Sequence, residues 1–360
     1  MKNKMKKKII IVGIIAITAI LFVSSINKGT NEEIKIGVIA GMTGDWGIVG
    51  EHFLNGVTLA QEEWNQDNPD KTIEIIFEND DFDAKKGLSA YQKLVSVNMI
   101  DGLINMTTFT VDVIAEDAIE RNLPVAQGFV QTNTKDDSIF QLWPNSNYAQ
   151  EKLGEYIKEK GYTNTVLLVD KSSSAWQVFA QDFKEGYQLP LKEISVGTDA
   201  VELRSAALKT IESKPDAVIL FVQPSQGATL VKEINKLSKN STQFVFDASL
   251  QTGFQTYTDL LGDSDVLNGS ILYIIPTNYE KDFVKTYTER FGKEPSIGSE
   301  TGYNSFTLIS RTYNSSVNKW IKNMKTESFI GADGLIKLDE KGTRIPEIKM
   351  GIIENGQLPQ

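Results

Sequence analysis

Residue types that support covalent or acid–base chemistry are scarce in this sequence of 360 residues, which has no cysteine and a single histidine, His52. The lack of cysteine excludes thiolate nucleophiles, thiolate metal ligands and disulfides. One imidazole could serve only one triad or one metal site. The patterns GxxxxGKS/T, HExxH and GxSxG do not occur either. Phosphoryl transfer, zinc-dependent hydrolysis and the α/β-hydrolase nucleophile therefore have no support.

Two loops have spacings close to those of ligand-binding motifs. The glycines of residues 41–50 are spaced GxxGxxGxxG rather than GxGxxG, which favours a tight turn that lets the backbone approach a neighbour over a dinucleotide site. Asp80, Asp81 and Asp83 suggest a cation site, but no EF-hand spacing continues from them, so an acidic cluster at a helix N-terminus is favoured.

His52 falls at the start of a predicted helix. There an imidazole commonly solvates the first turn, and this interpretation is favoured over a role as a general base, which needs a positioned partner. We therefore expect no metal, no cofactor and no catalytic residue. The chain is predicted not to be an enzyme, with a hydrolase on the same scaffold as a remote alternative.

The N-terminal segment has the pattern of an export signal. Six of the 37 basic residues and none of the 47 acidic residues lie in residues 1–30, where five lysines precede an apolar run over residues 9–23. Val23 and Ser25 suit the −3 and −1 positions of a cleavage site. The run is also close to the length of a membrane-spanning helix. We predict export to the periplasm or another extracytoplasmic space, with the segment either cleaved or kept as an anchor, and without lipid attachment to cysteine.

The rest of the chain carries a net charge of −16. Such a body repels nucleic acid and anionic lipid, so we expect no nucleic-acid partner. An exported chain without disulfides also needs a core large enough to be stable by itself, which a chain of this length can form.

Short β-rich runs alternate with segments of helical periodicity from residue 34 onward. The β-rich runs of a first set lie at 34–40, 72–77, 102–105 and 123–126, and those of a second set at 165–169, 192–196, 217–222, 243–246 and 270–275. Alternation of strand and helix predicts a parallel sheet with helices on both faces. We therefore predict an α/β protein with two doubly wound parallel-sheet lobes. No flexible linker separates the sets, which favours several crossovers and a hinge.

Loops at the carboxyl ends of these strands are the expected ligand-binding positions, because open parallel sheets bind ligands there. In a protein with two lobes these loops face each other across a cleft. Five aromatic residues fall in them: Trp46, Phe109, Phe129, Trp143 and Trp176. Packing beneath loops and lining of the cleft both remain open for each residue, and their clustering at facing loops supports the second.

Several segments resemble the type I periplasmic, or Venus-flytrap, solute-binding proteins of the branched-chain amino acid branch. They are IKIGVIAGMTG at 34–44, ENDDFDA at 78–84, AYQKL at 90–94, DAVILFV at 216–222, TGYN at 301–304 and LDEKG at 338–342. The resemblance extends from residue 34 to the end of the chain. It rests on the order and spacing of the segments rather than on any single one.

The resemblance implies a monomeric receptor whose two lobes, joined by three crossovers near 148, 276 and 328, close on a small polar ligand and deliver it to an ABC permease. One lobe would comprise residues 34–148 and 277–328, and the other 149–276 and 329–360. An amino acid or a related small organic solute is the expected ligand. A membrane-anchored sensor that uses the same cleft is the alternative.

Site residues follow from the resemblance by position. Thr108, Phe129 and Gln131 would contact a ligand carboxylate, and Trp46 and Trp176 would form aromatic walls. The second lobe departs from the family, because Ser174 and Trp176 stand near a usual Tyr-Gly pair, Gln223 replaces a tyrosine, and Asp247 lies one residue before the usual acid. Phe82 and Thr107 are expected to replace the usual disulfide of the first lobe. The predicted ligand-binding residues are Trp46, Thr107, Thr108, Phe129, Gln131, Ser174, Trp176, Gln223 and Asp247.

Overall fold

The computed structural model describes residues 32–129, 138–144, 146–238, 242–276, 278–345 and 347–359. The predicted export signal and Gln131 lie outside these residues. Within them, no helix has both the length and the apolar character needed to cross a membrane.

Strands and helices alternate along most of the chain. The strands are β1 (Glu32–Ala40), β2 (Lys71–Asn79), β3 (Gly102–Asn105), β4 (Val125–Gln127), β5 (Ile139–Pro144), β6 (Thr165–Asp170), β7 (Leu191–Val196), β8 (Ala217–Phe221), β9 (Gln243–Phe246), β10 (Ile271–Ile274), β11 (Ser328–Gly331), β12 (Gly334–Lys337), β13 (Thr343–Arg344) and β14 (Lys349–Ile352). The α-helices are α1 (Gly47–Asp67), α2 (Ala84–Lys93), α3 (Thr108–Glu120), α4 (Ser146–Glu159), α5 (Ser174–Tyr187), α6 (Ala200–Glu212), α7 (Pro224–Ser238), α8 (Ser249–Thr252), α9 (Phe254–Leu261), α10 (Lys281–Phe291), α11 (Ser299–Arg311) and α12 (Val317–Thr326).

Two six-stranded sheets form the centres of the two lobes. The first has the order β13-β5-β4-β3-β1-β2, and all of its pairs are parallel. The second has the order β14-β10-β9-β8-β6-β7, with β14 antiparallel to β10 and the other pairs parallel. Every residue of β6 and β8 is buried, as expected where helices cover both faces of a parallel sheet. The predicted architecture of two doubly wound α/β lobes is confirmed.

Judged from the described strands, the chain passes between the lobes three times: after β5, after β10, and between β13 and β14. The first two crossings lie close to the predicted positions 148 and 276. The third lies after Arg344, so the predicted crossing near 328 is wrong. Residues 329–344 remain with the first lobe, because Phe329 and Ile336 of the β11–β12 hairpin enter its core and β13 pairs with β5.

Close backbone packing holds helix α1 in place beneath the first lobe's ligand-facing loops. A Cβ on Gly56 would lie 2.0 Å from the carbonyl oxygen of Ser299, and one on Gly302 would lie 2.0 Å from that of Phe53. No real Cβ approaches an oxygen so closely, so these glycines allow α1 and α11 to meet at backbone distance. The N-terminal end of α1, which follows Trp46, is thereby fixed.

Candidate functional site

A cavity of about 120 Å³ lies between the carboxyl ends of the two sheets. The first lobe contributes the segments that follow β1, β2, β3 and β4, and the second lobe those that follow β6, β8 and β9. These are the loops in which the sequence predicts a cleft. Aromatic side chains make up much of the wall: Trp46, Phe82, Phe109, Phe129, Trp143 and Trp176, together with Phe179 on α5 and Tyr273 on β10.

Seven of the nine predicted ligand-binding residues line this cavity: Trp46, Thr107, Thr108, Phe129, Trp176, Gln223 and Asp247. Gln131 lies outside the described residues. Ser174 is not part of the described wall, although both of its neighbours are. Its hydroxyl donates a hydrogen bond to the carboxylate of Asp112 on α3 instead, which makes it a contact between the lobes.

Two further contacts join the lobes beside the cavity. The indole Nε1 of Trp46 donates to the side-chain oxygen of Gln223 at 2.8 Å. The backbone N–H of Ser225 donates to Oδ2 of Asp45 at 3.0 Å. The lobes therefore meet through hydrogen bonds from residues on the rim and wall of the cavity, as expected for a closed or nearly closed cleft.

The buried carboxylate of Asp80 organises the first-lobe wall. It accepts hydrogen bonds from the hydroxyls of Thr107 and Thr110, the latter at 2.5 Å, and from the backbone N–H of Phe82 at 3.0 Å. One carboxylate thus connects Phe82 and Thr107, the two residues expected to replace a disulfide. The hydroxyl of Thr107 also accepts from the N–H of Thr110 and caps α3, so its proton is already committed to Asp80.

The neighbouring acids confirm the helix-terminus interpretation of this loop. Asp83 caps α2 by accepting from the N–H groups of Lys85 and Lys86, both at 2.9 Å. Asp81 forms an ion pair with Lys86 at 2.7 Å, which lowers the pKa of the Asp81 carboxyl. Asp80 departs from this interpretation, because it bonds to the next strand's loop rather than to α2. Among the described residues, no group of three metal-ligating side chains is close enough to hold an ion.

The second-lobe wall contains one buried acid, Asp247, which is 2% exposed. Its Oδ1 accepts from the backbone N–H of Ser249 at 3.1 Å and from the Ser249 hydroxyl. Burial raises the pKa of Asp247 to about 7, against the opposing effect of these hydrogen bonds. No basic residue contributes to that pKa, so the carboxylate lacks a cationic partner within the described structure.

The glycine loop acts as a close-packed turn, as the favoured interpretation has it. A Cβ on Gly50 would lie 1.8 Å from the carbonyl oxygen of Gly41, and one on Gly41 would lie 2.3 Å from the ring of Phe82. The loop therefore folds back onto itself beneath Phe82. This packing places Trp46 at the mouth of the cavity.

His52 lies away from the cavity and is buried in α1, which corrects the expectation that it solvates a first turn. Its Nδ1 is 2.8 Å from the hydroxyl of Tyr287, and the two rings stack. Burial lowers the pKa of His52. The imidazole therefore packs against α10 as a neutral side chain and does not face the predicted site.

Tyr273 is one of several wall residues, with Phe179 and Met106, that the sequence did not predict. It lies inside β10 rather than in a loop, and burial raises its pKa well above the ordinary value. Its hydroxyl accepts a hydrogen bond from Gln150 at 3.0 Å. A buried aromatic residue inside a strand resembles core packing in the sequence, so no local signal distinguishes it from its neighbours.

The family model described as periplasmic binding protein matches residues 33–343. The chain belongs to the periplasmic binding protein family. Solved structures with the same fold as this periplasmic binding protein include a leucine binding protein, LivK, from Thermotoga maritima, at 18% identity and a TM-score of 0.77, covering 90% of this chain and 96% of that one. No curated protein matches the sequence.

Two further structures similar to this periplasmic binding protein were solved with bound ligands. The branched-chain amino acid transporter substrate binding protein LivJ from Streptococcus pneumoniae, in complex with isoleucine, has 18% identity and a TM-score of 0.76, covering 91% of this chain and 97% of that one. An ABC transporter solute binding protein from R. palustris, in complex with benzoate, has 16% identity and a TM-score of 0.74, covering 90% and 94%. At these identities the similarity establishes the fold.

Proposed function

We propose that this periplasmic binding protein is the extracytoplasmic solute-binding component of an ABC importer. Its lobes close on a small organic solute, an amino acid or a related compound, and present the closed form to a permease. The observation that carries the proposal is the cavity between the lobes, whose wall combines aromatic residues of both lobes with the polar groups of Thr108 and Asp247. Pockets of this composition bind small molecules, with the polar groups setting orientation.

Export and a monomeric state belong to the same proposal. The lysine-rich start and the apolar run over residues 9–23 support translocation to the outside of the membrane. The aromatic and hydroxyl residues that make up most of the described wall support a role in binding.

Thermal unfolding of the purified protein in the presence of amino acids, amides, aromatic acids and amines tests this function. At least one class should raise the Tm of the wild type, because a ligand that binds only the folded state stabilises it. Thr108→Trp, which fills the cavity, should abolish the shift. Val113→Trp, on the exposed face of the same helix, is the matched control and should retain it. A shift that survives Thr108→Trp would place the ligand elsewhere and contradict the proposal.

The alternative is a membrane-anchored receptor that uses the same cleft for sensing. It is favoured by the length of the apolar run, which reaches Ile26 with only two serines near its end. N-terminal sequencing of the exported protein separates the two. A new N-terminus after Ser25 supports a released binding protein, whereas an intact segment supports the anchored receptor.

A further inference from the structure

We propose that the ligand of this cavity is a small organic cation, an ammonium compound with a neutral hydrogen-bond acceptor, and that recognition does not require a ligand carboxylate. This inference rests on the proposed solute-binding function and specifies its ligand class. It follows from four properties of the cavity: its charge, its aromatic wall, the indole N–H of Trp176 that lacks an acceptor among the described residues, and its size.

Charge is the first argument. Asp247 is the only acidic or basic residue among the described residues that line the cavity. Removing a carboxylate from water is costly unless an opposite charge or several hydrogen bonds compensate. The carboxylate of Asp247 receives hydrogen bonds from Ser249 and from its own backbone N–H, and no cation in the described structure lies near enough to affect it. A bound ammonium group would supply the missing positive charge.

Other carboxylates reinforce the negative potential around the cavity. Asp80 lies directly behind Thr107, and Asp45 and Asp112 hold the contacts between the lobes at its rim. An anionic ligand would approach these groups with no lysine, arginine or histidine on the described wall to balance them. The net charge of −16 outside the N-terminal segment would also favour the approach of cations over anions.

The aromatic wall is the second argument. Phe129 stacks on Trp143 with ring centroids 4.6 Å apart, and Trp176 meets Phe179 edge to face at 5.5 Å. The first pair therefore comes from the first lobe, with Phe129 after β4 and Trp143 in β5, and the second pair comes from α5 of the second lobe. Aromatic rings attract organic cations, and several rings around one site are the usual means of binding alkylated ammonium groups.

The hydrogen-bonding groups of the wall provide the third argument. Trp176 is 7% exposed, and its Nε1 has no hydrogen-bond partner among the described residues. An indole N–H can only donate, so its natural partner is an acceptor atom on the ligand, such as a hydroxyl or carbonyl oxygen. The hydroxyl of Thr107, by contrast, donates to Asp80 and cannot also donate to a ligand carboxylate.

Size is the fourth argument. The cavity of about 120 Å³ is slightly smaller than the ~150 Å³ cavity that accommodates one benzene molecule. The space therefore suits a compact ligand of about the size of benzene. Choline is a compact quaternary ammonium compound whose hydroxyl supplies the acceptor. Benzylamine has a ring in place of the methyl groups and no acceptor, so it tests the contribution of charge alone.

Titration calorimetry with matched probes tests the inference on the full chain. Choline is compared with 3,3-dimethylbutan-1-ol, which replaces the nitrogen with carbon, and with glycine betaine, which has a carboxylate in place of the hydroxymethyl group. Benzylamine is compared with benzyl alcohol and benzoate, and leucine represents the amino acids. We expect choline or benzylamine to bind at least tenfold more tightly than its neutral and carboxylate-bearing counterparts and than leucine.

Asp247→Asn should reduce the affinity of the cation to that of its neutral isostere while leaving the isostere's affinity within twofold. Asp216→Asn is the control, because Asp216 binds the N–H groups of Thr163 and Asn164 at the opposite end of the second sheet. Equal binding of charged and neutral isosteres would overturn the inference. Binding of leucine or benzoate without the amines would overturn it and leave the solute-binding function intact. The absence of binding by every probe in the calorimetric and thermal panels would contradict both.

Discussion

The carboxylate of Asp45 in the first lobe caps a helix of the second lobe, because its Oδ2 accepts from the backbone N–H of Ser225 at 3.0 Å. Ser225 is the second residue of α7, whose first turn has N–H groups without partners inside the helix. A capping group supplied by one lobe to a helix of the other links closure to helix stability. The same acid accepts from Thr256 through its carbonyl oxygen at 3.3 Å, and its neighbour Trp46 reaches Gln223.

Asp45→Ala should shift the protein toward the open arrangement. Loss of a capping carboxylate costs about 1 kcal/mol, and this cost falls on the closed form alone, since the contact exists only when the lobes meet. Small-angle scattering without ligand should show a larger radius of gyration, and ligand affinity should fall about fivefold. Asp199→Ala is the control, because Asp199 caps α6 within the second lobe by accepting from Val201 and Glu202. It should lower the Tm without changing the radius; an equal expansion in both variants would contradict this role of Asp45.

Asp80→Ala should destabilise the first lobe and weaken ligand binding together. Three donors, the Thr107 and Thr110 hydroxyls and the Phe82 N–H, would lose their acceptor in a fully buried position. Each buried group left unsatisfied costs about 1–3 kcal/mol, so the free energy of unfolding in urea should fall by at least about 2 kcal/mol. Asp81→Asn in the same loop weakens the ion pair of a partly exposed carboxylate with Lys86 and should change the free energy of unfolding far less than Asp80→Ala does. Similar losses in the two variants would show that Asp80 does not hold the wall together.

Much of the fold could be predicted because a parallel strand that is covered by helices on both faces of its sheet is a continuous run of apolar residues. The runs at 165–169 and 217–222 are continuous apolar segments, and β6 and β8 coincide with them to within one residue. The third crossover could not be predicted in the same way. Strand β13 has two residues, Thr343 and Arg344, and it joins the first sheet through pairing with β5, whose Gln141 is the partner of Thr343 from far earlier in the chain. Such pairing leaves no local periodicity to detect.

The site was predictable to the extent that strand ends determine it. The wall residues Trp46, Thr108 and Trp176 follow strands directly, so the topology places them at the cleft. Ser174 shows the limit of that argument: it follows β6 as well, but its hydroxyl bonds to Asp112 of the opposite lobe. Which side chain of a loop faces the cavity and which faces the other lobe depends on how the lobes approach each other, and this is not encoded within either loop.

Glu300→Gln should stabilise the protein above neutral pH. Glu300 is buried at the first turn of α11, with Tyr279, Asp333 and Arg344 around it, and burial followed by the charge of Asp333 raises its pKa to about 7. A folded-state pKa above that of the unfolded chain means that the folded state binds more protons between about pH 4.5 and 7, so the contribution of Glu300 to stability is lost as pH rises through this interval. Glutamine mimics the protonated form and removes that loss.

The difference in free energy of unfolding between pH 5 and pH 8 should therefore shrink in Glu300→Gln by on the order of 2 kcal/mol. Urea unfolding at the two pH values measures it. Glu289→Gln, on α10, serves as the matched control and should leave the difference as in the wild type. The pKa of Asp247 is also raised, so its ionisation likewise lowers the stability as pH rises and accounts for part of the pH dependence of unfolding that remains in the variant. If Glu300→Gln leaves the difference in free energy of unfolding between pH 5 and pH 8 unchanged, Glu300 does not cause this pH dependence.

Binding of choline should strengthen as pH rises, in contrast to stability. Choline keeps its charge at every pH, whereas Asp247, with a pKa of about 7, is mostly protonated at pH 5 and mostly ionised at pH 8. Tyr257 and Tyr273, which also face Asp247, remain neutral over this range because burial raises their pKa well above the ordinary value. Linkage therefore predicts an affinity at least about tenfold higher at pH 8 than at pH 5. The neutral isostere 3,3-dimethylbutan-1-ol should bind with equal affinity at both pH values. Asp247→Asn should abolish the pH dependence of choline binding. An affinity for choline that falls as pH rises would show that the ionised carboxylate is not its partner.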